Sequence, residues 1–380
     1  MAARVDDARG LPQPATVERA RPAATRAATQ PPHIPSLDGL RAISFFIVFA
    51  AHSALIPGMP GGFGVTVFFY LSGFLITTLL RFEQDTTGRI SIRHFYLRRA
   101  LRILPPFYLV LCLALAATQM GLLPGPVQGR VVAAQALHVS NYWFIWHGYD
   151  GAPAGTVPYW SLAVEEHFYL LFPCLFILLS RYLSPRAQSR AFLLICAIVC
   201  LWRCLLVGGG GITEDRTYMA SDTRFDSILF GSALAVGLNP VFDPGWGSER
   251  LWKRGLLPAG LALLLVSFTY RAPWFRETIR YSVQGIGLTA VFISAIRFPQ
   301  WLPFRFLNAR PVAFLGVLSY TLYLVHQIAI FAVAHAAPQL APALRAAAAL
   351  TIALVIALAM HRWVERPAAR MRKRLSAARA

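Results

Sequence analysis

Ionisable side chains inside apolar helices are costly, and each marks a candidate for chemistry. In LRAISFFIVFAAHS, Arg41 and His52 lie eleven positions apart. On a helix eleven steps make about three full turns, so both side chains face the same way, roughly 16 Å apart along the axis. An anion held at Arg41 on an extended arm of that length would bring its far end to His52. Imidazole titrates in the range a general base needs. A solitary helical histidine is usually a structural hydrogen-bonding residue; depth and the arginine partner single this one out. Ser36 or Asp38 can cap the start of the same helix, and Pro57 with Gly58 ends it.

Three further segments carry such residues. RISIRHFYLRRALRILPPFY follows the second apolar run as a loop, with Arg93, Arg98, Arg99 and Arg102 ahead of Pro105 and Pro106. Such a cluster commonly anchors a membrane helix, yet guanidinium groups also match phosphate geometry. Arg99 and Arg102 are spaced to share a helix face. VPYWSLAVEEHFYLLFP places Glu165 and Glu166 about one turn inside an apolar helix, where packing alone does not explain two carboxylates. SDTRFDSILFGSALAV holds Asp222, Arg224 and Asp226, either a functional set or an ordinary interfacial ion cluster, and SYTLYLVHQ holds His326. By position along their helices, His52, Glu165, Arg224, Asp226 and His326 are expected in one layer. Arg41, Arg99 and Arg102 are expected in the opposite layer. Two such layers suit a charged donor entering from one side and a polar acceptor from the other.

Positioning these groups takes a membrane bundle. Of 380 residues 56% are hydrophobic and 14% charged, where a soluble domain has about 25% charged. Apolar runs at 39–56, 63–81, 103–123, 160–180, 191–207, 222–238, 256–270, 282–298, 311–335 and 344–363 predict an all-α polytopic integral membrane protein of about ten transmembrane helices. The net charge of +19 comes from arginines lying between those runs, which fits a bilayer surface and argues against nucleic acid. With the N-terminus cytoplasmic, inner segments hold 27 of the 36 Lys and Arg and outer segments seven, with Arg41 and Arg203 inside helices. Both termini are therefore expected in the cytoplasm. Residues 131–146 are semi-apolar; crossing there would reverse every later loop, so they are expected outside, as an interfacial or re-entrant piece. Residues 1–32 read as a disordered cytoplasmic tail, 33–366 as the transmembrane domain and 367–380 as a basic cytoplasmic tail. Cys196, Cys200 and Cys204 share a helix face and suit helix packing better than a metal site, and no metal is expected.

Six blocks resemble the acyltransferase 3 family of membrane O-acyltransferases, in that family's order. They are IPSLDGLRAISFFIVFAAHS, GVTVFFYLSGFLITTLL, FYLRRALRILPPFY, YWSLAVEEHFYLLFP, TRFDSILFGSALA and SYTLYLVHQ, together spanning nearly all of 33–366. The resemblance implies that Arg41 and His52 form the family's basic–x10–His pair, with His52 the essential histidine. It implies that Arg99 and Arg102 form an Arg-x-x-Arg element serving an acyl-CoA donor. Glu165 takes the acidic position of a Ser-Leu-x-x-Glu block, Ser72 with Gly73 the Ser-Gly of the second helix, and Arg224 with Asp226 a later polar pair. Asp38 and His326 join the supporting residues. The implied reaction moves an acyl group, commonly acetyl, from cytoplasmic acyl-CoA to a hydroxyl, with His52 as base or covalent carrier and Glu165 orienting the acceptor. The implied acceptor is a surface or exported glycan such as an O-antigen or exopolysaccharide unit, and the implied location is the bacterial inner membrane. Acceptor choice is expected to reside in outer loops such as 124–158 and 208–222. Two rivals stand beside this reading: O-acylation of a macrolide-type small molecule, and a secondary transporter, which also places ionisable residues near the midplane.

Overall fold

The computed structural model describes residues 33–243, 245 and 247–377. The tail expected over 1–32 lies outside the described residues. All regular structure among the described residues is helical. In chain order the elements are α1 (Pro35–His52), α2 (Gly61–Thr87), α3 (Ile92–Gln119), α4 (Gly129–Ala136), α5 (Ser140–His147), α6 (Trp160–Tyr182), α7 (Pro185–Gly209), α8 (Glu214–Met219) and α9 (Ser221–Gly237). There follow α10 (Glu249–Leu251), running through a wide π turn into α11 (Leu257–Thr269), then α12 (Pro273–Glu277), α13 (Arg280–Arg297) and α14 (Leu302–Leu307). The chain closes with α15 (Arg310–Ala336), α16 (Pro342–Met360) and, after a second π turn at His361–Glu365, α17 (Arg366–Ala377).

Among the described residues seven helical segments are long and apolar enough to cross a membrane: Gly61–Thr87, Ile92–Gln119, Val157–Tyr182, Pro185–Gly209, Glu249–Thr269, Arg310–Ala336 and Pro342–Arg372. The protein is a polytopic all-α membrane protein. The expected count of ten is not reached by this measure. The remaining runs, 39–56, 222–238 and 282–298, form α1, α9 and α13, of 18, 17 and 18 residues. Each is about 26 Å long and carries charged residues that lower its mean hydropathy. They are shielded rather than lipid-facing. α9 packs against α2, α7 and α13, and α1 against α2 and α15. Residues 131–146 do not form one crossing helix. They fold as α4 and α5, each eight residues or about 12 Å, broken beside His138, whose φ is 56°.

Burial separates core from periphery. The apolar window of α2 is 78% buried and that of α7 only 17%. On α7, Leu194, Ile198, Leu201 and Leu205 stand exposed along one face, a surface matched to lipid tails rather than to water. The arginine segment expected as a loop is instead the first turns of α3. Glu83 of α2 clamps that hairpin, accepting from Arg98 Nη2 at 2.6 Å and from the Ser91 amide at 3.1 Å. At the other end of the chain, α17 packs on α3.

Central crossings depend on missing side chains. A Cβ added at Gly73 would stand 1.9 Å from the Ile228 carbonyl oxygen, and one at Gly231 2.0 Å from that of Tyr70, so α2 and α9 touch backbone to backbone. Gly316 of α15 meets α1 in the same way at the Asp38 carbonyl. Small residues drive such contacts where lipid supplies no hydrophobic force. Gly73→Ala is expected to destabilise the fold by about 1–3 kcal/mol through overpacking, read as a lower thermal unfolding midpoint in detergent. An unchanged midpoint would contradict the backbone contact.

Candidate active site

α1 and α15 run side by side and end their shared face in two histidines. His52 and His326 are hydrogen-bonded, Nδ1 to Nε2, at 2.8 Å. His326 is fully buried, and its Nδ1 lies 2.7 Å from the backbone carbonyl of Tyr323. A carbonyl oxygen only accepts, so His326 Nδ1 carries the proton. In the neutral ring Nε2 is then an acceptor, so His52 Nδ1 must donate to it. That leaves His52 Nε2 as a bare lone pair on an exposed side chain. Phe45 of α1 packs edge-on to the His326 ring with centroids 6.0 Å apart, and Tyr323 packs at 5.5 Å. The geometry offers one proton-accepting nitrogen with a fixed tautomer, suited to general-base or nucleophilic work.

Below the histidines, towards the N-terminal end of α1, opens a cavity of about 690 Å³ including its mouth. Arg41, Arg99, Arg102, Glu165, Tyr169, Ser72, Ser319 and Tyr320 line it, and Ser161, Phe68 and Tyr323 lie at its other end. Arg41 Nε donates to Ser319 Oγ at 3.0 Å. The Arg99 guanidinium lies over the Tyr169 ring, 5.1 Å from its centroid. Tyr169 donates to Glu165 Oε2 at 3.2 Å, and Ser72 and Tyr169 share a short hydroxyl contact. Ser161 and Tyr323 are joined at 2.7 Å. Tyr323 therefore belongs to both sites: its side chain borders the cavity and its carbonyl fixes His326. Three guanidiniums and one carboxylate in a single cavity suit a polyanion such as a phosphate-bearing ligand.

The two-layer expectation is redrawn at three places. Glu165 does not join the histidines: it faces the arginine cavity, held there by Tyr169 one helical turn on. Asp226 is paired in the core with Arg203 Nη2 at 2.6 Å, both side chains fully buried, and also accepts from Ser282 Oγ at 3.2 Å. Arg224 is fully buried and bonds to neither histidine. It donates to Thr66 Oγ1 at 3.0 Å and the Tyr218 carbonyl at 3.2 Å, with its guanidinium 4.1 Å from the Tyr281 ring centroid. Asp222 separates from both and takes two bonds from Arg216, at 3.0 and 2.5 Å. Neither Ser36 nor Asp38 caps α1. Pro35 begins the helix, Ser36 donates to Asn308 Oδ1 at 2.9 Å, and Asp38 meets His33 at 2.7 Å. Tyr323, Ser161, Tyr169 and Arg203 were not foreseen. A lone arginine inside an apolar helix demands a carboxylate, so Arg203 carried a readable signal.

Residues 34–362 match the sequence model of the family described as an acyltransferase domain. The chain belongs to the acyltransferase 3 family. Among relatives of this acyltransferase 3 protein, the O-acetyltransferase OatA of Staphylococcus aureus is 30% identical over 309 residues, covering 78% of this chain and 50% of that protein. The peptidoglycan O-acetyltransferase OatA of Listeria monocytogenes is 28% identical over 310 residues, covering 77% of this chain and 49% of that protein. The chain thus spans about half the length of the curated relatives it matches. No solved structure matches it.

Because Asp226 neutralises Arg203 in the core of this family member, its role is tested by stability. Arg203→Met alone leaves a buried carboxylate uncompensated and is expected to cost about 3–5 kcal/mol. Adding Asp226→Leu should restore much of the loss of thermal midpoint. A double variant as unstable as the single would contradict the pairing.

Proposed function

We propose that the protein is a membrane O-acetyltransferase that moves an acetyl group from acyl-CoA to a hydroxyl of a cell-surface glycan. The observation that carries this reading is the polarity of the His52–His326 bond, which leaves Nε2 of an exposed histidine bare, while Tyr323, whose carbonyl fixes that polarity, also borders a cavity lined by arginines. The named activity of the S. aureus and L. monocytogenes relatives supports O-acetyl transfer, and the latter's name supports a cell-wall glycan acceptor. Arginine placement supports a cytoplasmic donor side and an outer acceptor side, in a bacterial inner membrane with both termini inside. Residues 33–366 form the catalytic unit on this reading, and 367–380 a basic cytoplasmic extension.

The donor's phosphates are held by Arg41, Arg99 and Arg102, and its thioester end points past Ser161 and Tyr323 towards His52. Glu165 holds the arginine cluster in place through charge and through Tyr169. His52 Nε2 takes the proton of the acceptor hydroxyl as the oxygen attacks the thioester carbonyl. The C–S bond breaks as the new C–O bond is completed, and the Nε2 proton passes to the departing thiolate, giving ester and free CoA. His326 is a positioning residue: it keeps the proton on His52 Nδ1 and shares the charge that builds on the ring.

Purified protein in nanodiscs with radiolabelled acetyl-CoA tests the reading. His52→Ala is expected to lower CoA release at least about 100-fold while thermal stability holds. Wild-type rates in that variant would refute the base, and well-folded wild type that neither binds nor consumes acetyl-CoA would refute the donor. Arg99→Gln or Arg102→Gln is expected to raise KM for acetyl-CoA about 10–100-fold, the loss of a charge-assisted hydrogen bond, with kcat little changed. His326→Ala should instead lower kcat and leave that KM alone.

A further inference from the structure

A second cavity, of about 1190 Å³ including its mouth, opens at the histidine end of the bundle. One wall is the connection from α1 to α2, which begins directly after His52 and includes Gly58 and Met59. Gly61 at its far end packs against Ala51, the residue before His52. The other walls come from the start of α2, α8, the end of α11 with the turn after it, α12 and the start of α13.

Tyr218 and Tyr281 line the cleft, and behind both lies Arg224, fully buried, 5.6 and 4.1 Å from their ring centroids. Arg224 thus presses the two rings into fixed positions. Burial raises the Tyr218 hydroxyl to about 12, so it stays a donor at physiological pH. Around the rings stand three carboxylates, Glu214, Asp215 and Glu277, and three guanidiniums, Arg271, Arg276 and Arg280. Among the described residues none of these six pairs with another of the set as a salt bridge. The Nε atoms of Arg276 and Arg280 are buried without a hydrogen-bond partner. Asp215 accepts from Tyr149 at 2.5 Å and Glu277 from Thr217, so two of the acids are held from outside the set. An ordinary interfacial ion cluster would neutralise itself; here opposite charges face one cavity with bonding capacity unused.

We infer that this cleft is the acceptor subsite and binds a neutral, polyhydroxylated sugar. The half-buried Tyr218 ring takes the apolar C–H face of a pyranose ring, while Tyr281, buried under Arg224 and Arg280, gives the wall its rigidity. Carboxylates accept from its hydroxyls and guanidiniums donate to them, the few placed polar groups that orient a ligand in such a pocket. Equal numbers of opposite charges favour an uncharged ligand over a polyanion, in contrast to the arginine cavity. For its chemistry the inference rests on the acyl-transfer reading, since it supplies the hydroxyl that reaches His52; the binding itself does not.

The test is binding of tritiated N,N′,N″-triacetylchitotriose and of maltotriose, two neutral trisaccharides, to the full chain in nanodiscs, with acetyl-CoA turnover followed in parallel. Glu214→Ala and Arg276→Ala, singly and together, remove side chains that make no hydrogen bond among the described residues, and their thermal midpoints report folding. Wild type should bind at least one trisaccharide saturably, the double variant at least about 10-fold more weakly, and His52→Ala as wild type does. Absence of saturable binding of both sugars, or equal affinity in the folded double variant, overturns the cleft assignment even if acetyl-CoA is consumed. Sugar binding that depends on Glu214 and Arg276 in protein that neither binds nor consumes acetyl-CoA upholds the cleft and sinks the acyl-transfer reading.

Discussion

The carbonyl oxygen of Tyr323 accepts a hydrogen bond from His326 Nδ1, and the direction of that bond decides the chemistry available to His52. An acceptor that cannot donate leaves His326 one tautomer, and His326 in turn leaves His52 one tautomer. For the chain of bonds to form, α1 and α15 must pack closely enough for two imidazoles to meet at 2.8 Å. Gly316 against the Asp38 carbonyl supplies that approach at the other end of the same pair. A helix-packing constraint is thereby converted into a reactive lone pair.

Charge is partitioned around this pair. On one side Arg41, Arg99 and Arg102 share a cavity with a single carboxylate, Glu165. On the other, a cleft presents acids and guanidiniums in balance around fixed tyrosines. Buried ion and ring contacts hold the helices together: Arg203 with Asp226, and Arg224 against Tyr218 and Tyr281. Removing one partner of such a group exposes the full desolvation cost of the other, so these residues look functional by their cost alone although their partners are structural.

The helices were largely legible because apolar runs and loop arginines answer to the bilayer directly. Asp222, Arg224 and Asp226 show where legibility ended. Depth along a helix was readable, but facing was not: three residues of one helical turn point to three different partners, on α8, the α2–Tyr281 side and α7. Glu165 shows the same limit: its distance into α6 is readable, while the face that turns it to the arginine cavity is not. The start of α3 reads as loop because Arg98 and its neighbours are polar; Glu83, fifteen positions earlier, supplies the clamp that no local pattern reveals. The Arg41–His52 spacing survived because it depends on helix geometry alone. His326 was placed at the right depth, but its bond to His52 spans 274 positions of sequence.

The most direct test is nitrogen NMR of protein carrying 15N-labelled histidine, with the His52 signals assigned by comparison with His52→Gln. The account predicts a neutral His52 ring with a proton on Nδ1 and a bare Nε2, and a change at Nδ1 when His326 is replaced by alanine. A proton on Nε2 with a bare Nδ1, or His52 signals indifferent to the loss of His326, would contradict it.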